Sequence, residues 1–201
     1  MTSTFLLALA AFAFVSSITP GPNNLMLMAS GTNFGFARTI PHMLGVAIGF
    51  TLMIVAIGAG MATILSLVPG LLDVIKWVSV AYLLYLAWKI ATAPVGPLTG
   101  TSGARPMTFL QAAAFQWVNP KAWTMALTAV SVYIPPDNPI VGILIVAAVF
   151  GAINLPSVGL WAAMGVSLRR FLADPRRLRA FNIVAALTLV CTLYPVVAGT
   201  H

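Results

Sequence analysis

Two short stretches hold nearly all the residues that could handle a polar molecule inside an otherwise apolar chain. The first is Thr19-Pro20-Gly21-Pro22-Asn23-Asn24. Two prolines and a glycine remove helix hydrogen bonds and leave backbone carbonyls and amides in need of partners. Asn23 and Asn24 add side-chain amides at the same depth. The second is Gln116-Trp117-Val118-Asn119-Pro120-Lys121. Lys121 is the only charge well inside an apolar run, and an ammonium there needs a wet cavity or a partner. An ammonium beside helix breaks is suited to holding a carboxylate, and the N-terminal ends of the half-helices add to that attraction. The chemistry is recognition of a small zwitterion such as an amino acid. Asn154 and Pro156 read as a second polar break and a secondary part of the site. Packing kinks with asparagines bonded between helices are the structural alternative for each stretch.

Catalysis is a poorer fit. An intramembrane hydrolase needs a nucleophile and base, or metal ligands, at similar depth. The only histidines are His42 and the terminal His201, no acidic residue lies deep in an apolar run, and the single cysteine is Cys191. No cofactor or metal is expected from these residues. His42 reads as an interfacial residue at the start of an apolar run. Without a buried carboxylate, any proton coupling has to use Lys121, His42 or the substrate itself.

The elements that position these residues follow from composition. Of 201 residues, 60% are hydrophobic and 6% charged, and the mean hydropathy is +1.01. A soluble domain carries roughly 25% charged residues; here a bilayer must cover the apolar surface. The net charge of +7 does not indicate nucleic-acid binding, because the cations sit between apolar runs. Six runs lie near residues 4–29, 43–65, 72–92, 108–131, 140–166 and 180–199. Each approaches the roughly 20 residues that a spanning helix needs. Breaks fall at Gly31-Thr32-Asn33 with Gly35, at Val68-Pro69-Gly70, between Pro94 and Pro106, at Pro135-Pro136-Asp137-Asn138-Pro139, and in the segment Arg169 to Arg179. The first run has no preceding Lys or Arg and reads as a retained span, not a signal peptide.

Orientation follows from eight of the ten cations, which fall in the first, third and fifth connections. The positive-inside rule puts those loops, including the arginine-rich segment 169–179, in the cytoplasm and both termini outside. The arginines are expected to fix topology and to touch lipid headgroups. Trp77, Tyr82, Tyr85 and Trp88 read as interface anchors and packing aromatics, and Gly45 with Gly49 as a helix-packing pair.

The halves also repeat. Pro20 and Pro120 are 100 residues apart, as are Phe50 and Phe150. Three spans per half make the halves antiparallel, the inverted repeat of secondary transporters. The expectation is one all-α transmembrane domain over residues 1–201, with six helices in two inverted three-helix repeats (about 1–100 and about 101–201), the first helix of each broken by proline.

The chain resembles the LysE/RhtB family of bacterial amino-acid exporters over nearly its full length. Ile18-Thr19-Pro20-Gly21-Pro22-Asn23 is similar to that family's first-span signature. Gly35, Arg38, Gly45 and Gly49 fit its following glycine and arginine pattern. Residues Tyr82 to Lys89 and Asn119-Pro120-Lys121 resemble its third- and fourth-span motifs. Leu86 to Thr92 and Asn182-Ile183-Val184 look closest to cysteine/O-acetylserine exporters, whereas Ala81, Ala87, Thr39 and Pro41 depart from the common pattern. The resemblance implies an exporter of small amino acids or their metabolites in the bacterial inner membrane, driven by the proton gradient. The helix breaks and the polar side chains at them set the expected substrate-binding and gating site as Pro20, Gly21, Pro22, Asn23, Asn24, Gln116, Asn119, Pro120, Lys121 and Asn154, and the expected partners are the small-molecule substrate and membrane lipid. A channel, a structural membrane subunit and, least of all, an embedded enzyme are the alternatives, and a homo-oligomer is compatible with exporter and channel alike.

Overall fold

The computed structural model describes residues 3–61, 63, 67–95, 105–135 and 137–198. His201, Pro136 and most of the stretch between Pro94 and Pro106 lie outside the described residues. The described residues form helices α1 (Ser3–Ile18), α2 (Pro22–Phe34), α3 (Phe36–Ala56, continued by a π-turn, Ile57–Met61), α4 (Leu71–Ala91), α5 (Phe109–Phe115, continued by a 3₁₀ turn, Gln116–Val118), α6 (Pro120–Tyr133), α7 (Pro139–Leu168), α8 (Pro175–Cys191) and α9 (Tyr194–Ala198).

The helix starts follow local chemistry. Pro22, Pro120, Pro139 and Pro175 each open a helix, where a missing N–H costs nothing and φ is already helical. Asn119, Asn138 and Asp174 cap α6, α7 and α8 through their side-chain oxygens. Thr108 and Gln111 form a reciprocal capping box on α5. Gly35, at φ 83°, turns the chain between α2 and α3 while its N–H closes on the Gly31 carbonyl.

Four helical stretches are long and apolar enough to cross a membrane: Phe36–Met61, Asp73–Ala91, Pro139–Leu168 and Pro175–Ala198. α1 and α2 pass the same test together as a pair bent by 55°. The chain is therefore an all-helical, multi-pass membrane protein with four to five such spans among the described residues, where the hydropathy runs suggested six. The difference lies in run 108–131. There α5 and α6 are separated at Gln116–Asn119, and at 1.5 Å per residue they reach only about 10 Å and 21 Å. The second span also starts earlier than expected, at Phe36, and runs through Pro41, which enrols His42 in α3. The fifth is one continuous helix: Pro156 causes no break in α7.

Lipid-like surroundings give no hydrophobic drive for helix association, so close backbone approach has to serve. A Cβ on Gly45 would stand 2.3 Å from the Phe109 carbonyl, and one on Gly49 2.6 Å from Ala113 Cα, so these glycines seat α3 on α5. Gly31 and Gly165 do the same for α2 and α7, with Cβ positions 2.1 Å from the Ala162 oxygen and 2.0 Å from the Met28 oxygen. The Thr32 hydroxyl adds a 2.9 Å bond to the Gly165 carbonyl. Phe50 and Phe150 meet edge to face at 5.5 Å in a core built by α1, α3, α6 and α7. A second core joins α2, α4 and α8 through Leu25, Leu83, Leu86 and Leu189.

Three basic connections share one end of the molecule. Arg169 Nη1 lies 3.3 Å from where a Cβ would stand at Gly35, and Arg179 donates to the Ala91 carbonyl at 3.0 Å. Trp77, Tyr85 and Trp88 are exposed on α4, while Tyr82 packs on Phe115 at 5.7 Å.

Candidate functional site

Where α1 ends, Pro20 and Pro22 supply no amide hydrogens, so the last carbonyls of the helix must find other donors. Side chains from three other helices provide them. Asn24 Nδ2 donates to the Ser17 carbonyl at 2.8 Å and to the Thr19 carbonyl at 2.9 Å. Trp161 Nε1, from α7, donates to the Ile18 carbonyl at 3.0 Å. Lys121 Nζ donates to the Thr19 carbonyl at 2.5 Å and reaches the Pro20 carbonyl at 3.5 Å. The ammonium thus sits at the negative end of α1. Gly21 makes this approach feasible, since a Cβ there would be 2.6 Å from Lys121 Cδ.

The second break answers the first. Gln116 and Asn23 exchange amide hydrogen bonds, Asn23 Nδ2 to Gln116 Oε1 at 2.8 Å and Gln116 Nε2 to Asn23 Oδ1 at 3.2 Å. Gln116 Nε2 also donates to the Ala112 carbonyl at 2.8 Å. Asn119 Oδ1 accepts from the Lys121 backbone N–H at 3.2 Å, which fixes the start of α6. Trp123 Nε1 closes the turn on the Trp117 carbonyl at 2.9 Å. The two breaks are therefore joined by two side-chain bridges, Asn23–Gln116 and Lys121–Thr19.

Between them lies a cavity of about 20 Å³, lined by residues that include Ser17, Gly21, Asn23, Asn24, Gln116, Asn119, Lys121 and Asn154. That is room for about one water molecule. The starts of α2 and α6, both positive helix ends, and the negative end of α1 converge on it. Asn154 Nδ2 donates to Ser17 Oγ at 3.2 Å, while its Oδ1 is buried without a partner among the described residues. On one side a cleft of about 620 Å³ is lined by Pro20, Pro22, Pro120, Lys121, Thr188 and Cys191, among others. Among the described residues, no three His, Cys, Asp or Glu side chains gather closely enough to hold a metal ion.

A broken, polar-lined helix pair of this kind occurs in several membrane-protein classes, and comparison with known proteins decides among them. The family model described as LysE type translocator matches residues 14–192. The chain belongs to the LysE type translocator family. The cysteine/O-acetylserine efflux protein of Escherichia coli (strain K12) is 32% identical to this translocator over 197 residues, covering 94% of this chain and 96% of the relative. The protein of the same description from Salmonella typhimurium (strain LT2) is 32% identical over 195 residues, with the same coverage. No solved structure matches the chain.

All ten residues singled out in the translocator's sequence border the cavity or the adjoining cleft: Gly21, Asn23, Asn24, Gln116, Asn119, Lys121 and Asn154 line the cavity, and Pro20, Pro22 and Pro120 the cleft. Asn154 comes from an unbroken helix, so it reaches the cavity through its side chain and not through a kink. His42 is not interfacial: it is 2% exposed, and neither ring nitrogen has a partner among the described residues. Sequence reasoning missed Ser17 and Trp161. The signal for Ser17 was its place within the last turn before Pro20, where orphan carbonyls collect. Nothing in the sequence around Trp161 marks it as the partner of a carbonyl 143 residues away.

Proposed function

We propose that this translocator is a secondary exporter of small amino acids or their derivatives across the bacterial inner membrane. Cysteine and O-acetylserine, named in its relatives' descriptions, are the first candidates. The observation that carries this reading is the Lys121 ammonium held on the Thr19 and Pro20 carbonyls, between the two helix breaks. Those carbonyls form a cradle for an ammonium, and Lys121 with the starts of α2 and α6 forms one for a carboxylate. An α-amino acid carries both charges. Its ammonium takes the carbonyls that Lys121 now holds, and its carboxylate takes Lys121.

The cavity is far below the roughly 300 Å³ of a usual ligand site. The passage therefore opens for transport by parting the Asn23–Gln116 bridge on one side or the Lys121–Thr19 bridge on the other. With no carboxylate at the breaks, proton coupling falls to Lys121, His42 or the substrate. The arrangement reads as a transport site and not a catalytic one, since no nucleophile and base are paired there.

We infer the finer architecture in the same way. α5, the 3₁₀ turn and α6 count as a sixth, broken crossing, equivalent to α1 and α2. Three facts support two inverted halves: Phe50 and Phe150 meet, α1 packs on α7 as α5 packs on α3, and Pro22 and Pro120 each open the half-helix after its break. The shared basic end then faces the cytoplasm, with lipid headgroups around its arginines, and both termini face the periplasm. Cys191, exposed in the 620 Å³ cleft, lies toward the outer side in this orientation. A membrane-impermeant maleimide is expected to label Cys191 in intact spheroplasts. Labelling only in everted vesicles would reverse the topology.

Export itself is tested in cells lacking their own exporters. Producing the protein is expected to raise resistance to O-acetyl-L-serine or cysteine and lower their internal concentration, with dissipation of the proton gradient abolishing the effect. Unchanged internal levels across an amino-acid panel would overturn the exporter reading.

A further inference from the structure

A second cleft, of about 480 Å³, opens at the basic end of the molecule, beside the later turns of α2, at the other end of that helix from the break. Its wall includes Ser30, Asn33, His42, Lys89, Arg105 and Gln111, and no Asp or Glu among the described residues. Most of its neutral polar groups are already engaged. The Ser30 and Thr39 hydroxyls share a 2.9 Å bond, Asn33 Nδ2 donates to the Ala29 carbonyl at 2.8 Å, and Gln111 belongs to the capping box of α5. The Lys89 ammonium stands 5.7 Å from the centre of the Tyr85 ring. Arg105 is exposed and carries no hydrogen bond among the described residues.

His42 stands out in that wall. It is 2% exposed, and both ring nitrogens are buried without a partner among the described residues. A neutral imidazole carries one donor and one acceptor, and burying either unpaired is unfavourable. Two unopposed cations and an unsatisfied imidazole in one concave wall describe an anion-binding surface. α2 links this surface to the break: Ser30 lies seven residues after Asn23, about 10 Å along the helix.

We propose that this cleft is a cytoplasm-facing capture site for the carboxylate of the exported molecule, separate from the cradle at Lys121. Arg105 and Lys89 draw the carboxylate in, and a shift of the side chains over His42 uncovers a ring nitrogen that donates a hydrogen bond to it. The substrate then passes along α2 to the break. The proposal rests on the exporter reading and its orientation.

The test measures O-acetyl-L-serine transport from each face, in everted and right-side-out vesicles. Arg105→Gln is expected to raise KM about tenfold from the cytoplasmic face, the equivalent of about 1.4 kcal/mol for one charge-assisted hydrogen bond. From the periplasmic face KM should change less than about twofold, on the same scale. His42→Gln should shift KM in the same one-sided way. If that variant fails to accumulate, Arg105→Gln decides, because its side chain is exposed. A KM unchanged from the cytoplasmic face, or raised equally from both, would overturn the capture site while leaving the exporter intact. A wild-type protein that transports from neither face would overturn the exporter reading, and the capture site with it.

Discussion

Replacing Lys121 with alanine is expected to abolish export while leaving an inserted, folded protein. The side chain makes the only charged contact between the two breaks seen among the described residues, through the Thr19 and Pro20 carbonyls. In the proposed cycle it also takes the substrate's carboxylate. Hydrogen bonds to charged groups are worth about 1.5–3 kcal/mol, so losing that anchor should lower transport by roughly a hundredfold. Stability should fall far less. The Thr19 carbonyl keeps its bond from Asn24 Nδ2, and the Asn23–Gln116 bridge remains. Lys121→Arg should recover only part of the activity: it keeps the charge, but its planar fork fits the space over Gly21 poorly. The check pairs an efflux assay with membrane quantity and detergent melting temperature. Export by Lys121→Ala at the wild-type rate would remove Lys121 from the transport site.

The second large effect is on folding. Gly165→Ala should destabilise the protein by about 3 kcal/mol, the upper range of overpacking costs. Its Cβ would stand 2.0 Å from the Met28 oxygen and 3.0 Å from the Thr32 nitrogen, both backbone atoms of α2 that cannot move aside. Separating the helices would also stretch the Thr32–Gly165 hydrogen bond. Gly159→Ala is the matched control on the same helix. There the nearest obstacle is Met43 Cε at 3.2 Å, the tip of a flexible side chain. Both changes gain the same helix propensity, about 1 kcal/mol, so the difference between them reports packing alone. Detergent-solubilised Gly165→Ala should melt well below wild type and Gly159→Ala at or above it. Equal melting temperatures would mean that α2 and α7 are not in this close contact.

The local parts of this fold were legible in the sequence because they follow from covalent chemistry. Proline lacks an N–H, so the breaks at Pro20 and Pro120 and the helix start at Pro139 could be read directly, whereas α8 starts at Pro175, inside the segment read as a loop. Gly45 and Gly49 had the spacing of a packing face and form one. Asn23 and Gln116 were both named, but their direct pairing across 93 residues is a tertiary fact. Three readings changed for tertiary reasons. Pro156 sits in an unbroken helix, because one lost backbone bond does not outweigh the packing of a 30-residue helix. His42 stood at the start of an apolar run, which suggested an interface, yet Gly35 turns the chain early enough for α3 to bury it. The break in the fourth run was expected at Pro120, but its consequence for length was not: the cut at Asn119, where side-chain capping replaces the helix hydrogen bonds, leaves two pieces that are each too short to count as a span. Hydropathy averages over such a cut, so the run counted as one full crossing.

The central claim is that the space between the two breaks carries an amino acid across the membrane. Counterflow tests it most directly. Purified protein in liposomes loaded with unlabelled O-acetyl-L-serine is given external labelled O-acetyl-L-serine. The account predicts a transient accumulation of label above equilibrium with the wild type and none with Lys121→Ala. Label that merely equilibrates, at the same rate in both, would contradict it and favour a channel or a protein with no transport role.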